Sequence, residues 1–127
     1  MQAKVKFQPR GYTLVEIMLI VTIISLLAVI AVCNFIIARD TSRLALIRTN
    51  LKDIATAKQQ WALENKKSIG DTVADVEVLT KYLPQGRVTA VTAEHYNPNA
   101  IGTPPTALLP EDMKLGQYGP GSTIPAP

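Results

Sequence analysis

Among 127 residues, the side chain best placed to do chemistry is a glutamate in an unlikely setting. Glu16 stands at the head of IMLIVTIISLLAVIAVCNFIIA, residues 17–38, where only Thr22, Ser25 and Asn34 are clearly polar. A carboxylate beside hydrocarbon costs free energy unless something offsets it. One offset is local. Thr13-Leu14-Val15-Glu16 has the Ser/Thr-x-x-Glu spacing of a capping box, in which the acid reaches back to the free N–H groups of a helix start. A negative charge there also suits the helix dipole.

The other reactive types are sparse. His95 is the single histidine and stands beside Glu94, with no second nitrogen ligand, so it reads as a surface or packing residue. Cys33 is the single cysteine and lies inside the apolar run; it can form no intrachain disulfide and behaves there as a small hydrophobe. Glu111 and Asp112 are adjacent acids. With a few carbonyls they fall short of the six or more oxygens calcium takes, and they become calcium candidates only with help from elsewhere. No phosphate loop, nucleophile–base pair or zinc spacing occurs. The expectation is a chain that is not an enzyme, with no catalytic residues and no required metal or cofactor.

The element that carries Glu16 is a membrane-length segment. Its 22 positions span about 33 Å as a helix, against a hydrocarbon core of about 30 Å. A buried core helix seldom stays apolar on all sides for so many turns. A cleaved secretory signal has a shorter apolar core followed by a small-x-small site. Ile30-Ala31-Val32-Cys33 has the outline of a lipidation box, but Val32 is too bulky for one. Charge agrees with a membrane anchor. The net charge of +3 is accounted for by Lys4, Lys6 and Arg10, ahead of the apolar run, and the remainder is neutral. Bulk attraction to nucleic acid is therefore not expected, and the basic end should stay in the cytoplasm.

Through the run and past it, 58 consecutive residues from Tyr12 to Ile69 contain neither Gly nor Pro. Leu44, Ile47, Leu51, Ile54 and Trp61 recur at helical spacing, with Lys58 at the missing step and Ala55 and Ala62 widening the stripe. Arg39, Asp40, Arg43, Arg48, Lys52 and Asp53 fall largely off it. One helix is expected from about Tyr12 to Lys67, roughly 84 Å long. A short helix capped by Asp71 or Thr72 should end before Pro84. RVTAVTAEHY reads as strand, NPNAIGTPP as loop, TALLP and MKLGQY as short strands, and GPGSTIPAP as a loose tail.

GYTLVE followed by some twenty apolar residues resembles the N-terminus of type IV pilins and type II secretion pseudopilins. The resemblance covers residues 1–40 closely and 41–67 by pattern. YNPNAIGTPPT, residues 96–106, looks like a C-terminal segment of short pseudopilin-like proteins. The resemblance implies that prepilin peptidase cuts between Gly11 and Tyr12 and methylates the amine of Tyr12. Glycine suits a cleavage site because the backbone is bare. The new amine is cationic at neutral pH and lies four residues before Glu16, so each can neutralise the other within one chain or between two. In the family the glutamate meets the amine of an adjacent subunit during assembly, which implies an assembly role for Glu16. Some major pseudopilins also bind calcium near the C-terminus, which is the context for Glu111 and Asp112. Tyr12 stands where the family usually has Phe, Ser25 where many have Gly, and Cys33 where many have Pro. The last two keep every backbone N–H and predict a helix less prone to open there.

The expected fold class is α+β: a long N-terminal α-helix packed on a small domain with a short helix and a few short antiparallel strands. Residues 1–11 form a cytoplasmic leader, 12–38 the transmembrane and assembly half of the helix, and 39–127 a small periplasmic domain. The implied function is a structural filament subunit, a major-type pseudopilin of type II secretion. Its partners would be copies of itself, prepilin peptidase, the membrane and an inner-membrane assembly platform. Alternatives are a type IV pilin for adhesion, motility or DNA uptake, and a membrane-anchored periplasmic binding domain that never polymerises.

Overall fold

The computed structural model describes residues 11–127; Lys4, Lys6, Arg10 and the rest of the expected leader up to residue 10 lie outside the described residues. Two compact units divide between Ile36 and Ile37, inside helix α1, Leu14–Glu64. The first unit is the apolar part of α1. Its large side chains are exposed without exception, and none of its most apolar 18-residue window is buried. The helix is unbroken through Ser25 and Cys33, as the absence of Gly and Pro predicts. Two of the three polar side chains in the run are satisfied by their own helix: the Thr22 hydroxyl bonds to Leu19 O at 2.8 Å and that of Ser25 to Val21 O at 2.7 Å. Such back-bonding lets a hydroxyl sit in hydrocarbon at little cost.

The second unit is built on the stripe. Ile47, Leu51, Ile54 and Ala57 are fully buried, with Leu44 and Trp61 packed at the margins. Against them lies a three-stranded antiparallel sheet in the order β1 (His95–Asn97), β2 (Thr106–Leu108), β3 (Thr123–Pro125). The register aligns Tyr96, Ala107 and Ile124 in one row, and all three are buried, while their strand neighbours turn outward or sit half-buried. That is the period-two alternation of a sheet covered on one face. Leu79, Leu83, Leu109 and Leu115 complete the core. Each such side chain contributes about 1.5–3 kcal/mol on burial.

Several local expectations are corrected. α1 ends at Glu64, not Lys67: Lys66 adopts a left-handed φ of 52°, and Lys67 N–H bonds back to Ala62 O at 2.9 Å, closing the helix with a Schellman-type turn. The short helix is a 3-10 helix, Val76–Tyr82, capped by Asp75, whose carboxylate accepts from Val76 N–H at 2.6 Å. Asp71 accepts from Ser68 N–H and Thr72 pairs with Ala100, so neither is the cap. Only His95 and Tyr96 of RVTAVTAEHY enter a strand. Ala93 has a φ of 58°, and Glu94 turns inward to hold the amides of Val91 and Thr92, so the extended run stops there. MKLGQY is a turn clasped by the Leu115–Tyr118 bridge, not a strand. The expected loose tail supplies β3, because Ile124 fills the core; Pro125 is tolerated on an edge strand.

Candidate functional site

At the N-terminal end of α1, Gly11, Tyr12 and Thr13 precede the helix and Leu14 is its first residue. A Cβ added to Gly11 would meet nothing within 4 Å, and its φ is not left-handed. Among the described residues, nothing in the fold calls for glycine here. Tyr12 is 75% exposed. Thr13 and Glu16 form the reciprocal capping box: Glu16 N–H donates to Thr13 Oγ1 at 3.2 Å, and Thr13 N–H donates to Glu16 Oε2 at 3.4 Å. These are long bonds on exposed groups, easily exchanged for a stronger partner. The carboxylate thus reaches back to the N–H next after the Gly11–Tyr12 peptide bond. A cation generated at Tyr12 would arise beside an acid already turned toward it.

Nothing comparable assembles in the second unit. His95 is exposed on β1 and borders a hollow of about 430 Å³ shared with Asp75, Glu77 and Arg87. Its neighbour Glu94 is buried and committed. It accepts from Val91 N–H at 2.9 Å, Thr92 N–H at 2.6 Å, the Thr92 hydroxyl at 2.9 Å and the Tyr96 hydroxyl at 2.5 Å. Burial pushes the Glu94 carboxyl up, but the bonds from Tyr96, Val91 and Thr92 outweigh it and hold it below the ordinary carboxylate range. Burial, and then donation to Glu94, raise the Tyr96 phenol far above its usual value. Asn50 on α1 donates to both Tyr96 Oη (2.8 Å) and Thr89 O (3.1 Å), which fixes the segment before β1 to the helix. This is a packed polar network, not a free acid beside a base. Glu111 and Asp112 sit exposed on a turn, and no cluster of three or more His, Cys, Asp or Glu side chains suited to a metal occurs among the described residues.

Lys58 fills the missing step of the stripe. It is 4% exposed, and its ammonium donates to the carbonyls of Pro98, Ala100 and Thr103. A lysine at a stripe position is the only signal that could have revealed it.

A family model described as the prokaryotic N-terminal methylation motif matches residues 7–32. The type IV major pilin protein PilA of Myxococcus xanthus (strain DK1622) is 41% identical over 64 residues, which cover 49% of this chain and 29% of that pilin. The match thus spans less than a third of the relative's length. No solved structure matches.

Proposed function

We propose, for a chain whose N-terminal segment belongs to the type IV pilin and pseudopilin family, that it is a filament subunit drawn from a membrane store. The observation that carries this reading is the order of Gly11, Tyr12, the Thr13–Glu16 box and an apolar helix left uncovered by the described residues. Prepilin peptidase cuts after Gly11 and methylates Tyr12. Residues 12–38 hold the subunit in the inner membrane, with residues 1–11 cytoplasmic and 39–127 periplasmic. An assembly platform then lifts it into a stack of copies. In that stack Glu16 exchanges its weak contact with Thr13 N–H for the amine of an adjacent copy. An ion pair away from water is costly to break, about 3–5 kcal/mol when one partner is removed. It therefore selects the axial register in which every acid meets an amine.

The choice of machine has two readings. The near-neutral charge of residues 39–127, ten bases against nine acids, favours a major pseudopilin of type II secretion. The likeness to a type IV major pilin favours a surface pilus instead. Loss of a secreted protein on deletion of the chain supports the first; loss of surface fibres with secretion intact supports the second.

Glu16→Ala tests the shared premise. The variant is expected to be cut before Tyr12, as read by mass spectrometry of the mature N-terminus, and to yield no filaments by electron microscopy. Normal filaments from Glu16→Ala, or a wild-type chain never trimmed ahead of Tyr12, would overturn the proposal and favour a non-polymerising anchored domain.

A further inference from the structure

Lys58 is a charge placed where the stripe of α1 should be apolar. Its Nζ lies 2.8 Å from Pro98 O, 3.0 Å from Ala100 O and 2.5 Å from Thr103 O, and no carboxylate is among these partners. The three carbonyls converge because the connection between β1 and β2 is wound tightly. Asn99 is left-handed at φ 54°, its N–H bonding to Asn97 Oδ1 and its side-chain amide to Pro104 O. Ala100 pairs with Thr72, and Ile101 N–H bonds to Asp71 O. Gly102, at φ 90°, lies where a Cβ would come within 2.9 Å of the Ile69 side chain. A lysine ammonium carries three N–H donors and no acceptor, which matches three oxygens one for one. A neutral amine would leave one carbonyl unmet, and an unmet buried acceptor is costly.

We propose that the carbonyls of Pro98, Ala100 and Thr103 form a cation site for a primary ammonium, filled from within by Lys58, so that this loop is ordered without any dissolved metal ion. Three neutral oxygens lack the charge and ligand number that hold calcium, so a divalent ion does not displace the lysine. A hollow of about 290 Å³, lined by Lys58, Gly102, Thr103 and Pro127 among others, opens beside the site and gives a small amine access once the side chain is shortened.

The test uses the full chain in detergent micelles and needs no filament, so it stands apart from the assembly reading. In the wild type, nitrogen-15 NMR should show a resolved, slowly exchanging Lys58 ammonium signal at neutral pH. The melting temperature should be the same in EDTA and in calcium. Lys58→Ala should melt about 10 °C lower. Propylammonium chloride should recover part of that loss, whereas equimolar sodium chloride or 1-propanol should not. Equal recovery by 1-propanol would mean simple filling of a void and would overturn the proposal. So would a wild-type melting temperature that rises by about 5 °C or more in calcium. If Lys58→Ala does not fold, the wild-type measurements decide alone: absence of the protected ammonium signal overturns the proposal.

Discussion

Glu94 shows how a single residue can be both buried and ionised. Four donors converge on its two oxygens, and they favour the charged form by more than burial disfavours it. Its folded pKa lies below the unfolded value, which is about 4.3. The stabilisation is therefore fully present above that value and is lost as pH falls through the folded pKa. Melting curves between pH 7 and pH 2 should show this loss, and Glu94→Gln should flatten it. At pH 7 the variant should be less stable by about 1–3 kcal/mol, because its amide presents donors to the donors of Val91 and Thr92. An unchanged pH profile in Glu94→Gln would remove the carboxylate from this role. The Thr13–Glu16 capping box was legible because its two residues lie three apart in one local motif. The Glu94–Tyr96–Asn50 network and the Lys58 fan were not. Asn50 and Tyr96 are 46 positions apart and Lys58 is 40 or more from its carbonyls, so only the fold brings them together.

At the scale of elements, periodicity succeeded where it was read at the right value. The stripe from Leu44 to Trp61 is the buried or half-buried face of α1, and the fully buried Ala57 joins Ala55 and Ala62 in widening it. Val73, Val76, Leu79 and Tyr82 recur every three residues, and that spacing belongs to a 3-10 helix, whose side chains eclipse at i and i+3. The expected short helix before Pro84 is present, but its cap is Asp75, three or four residues after the expected Thr72 or Asp71. β-Branched composition misled in RVTAVTAEHY, because a strand needs a partner in register and the left-handed Ala93 interrupts one. The end of α1 carries a similar strain at Lys66, a side chain in a conformation that glycine adopts freely. Lys66→Gly should stabilise the chain by about 0.5–1 kcal/mol in denaturant melts. A destabilised variant would show that the lysine side chain contributes more than its backbone costs.

For the molecule as a whole, the α+β class followed from the sequence, but the closure of the core did not. GPGSTIPAP has the composition of a disordered tail, yet Ile124 is fully buried opposite Ala107. One isoleucine among prolines outweighs the composition because the sheet offers it a covered slot. Ile124→Ala should cost about 2–5 kcal/mol, a large share of the roughly 5–15 kcal/mol typical of a domain. Leu108→Ala, at a half-exposed position on β2, should change stability by no more than about 0.5 kcal/mol. Denaturant melts of the two variants side by side test this ranking, and equal losses would contradict it.

The same strand sets a timetable for biogenesis. Leu51 and Ile54 leave the ribosome 70 residues or more ahead of Ile124, which at about 5–20 residues per second is a delay of several seconds. Throughout that interval the core lacks its last side chain, so its closure waits until β3 arrives.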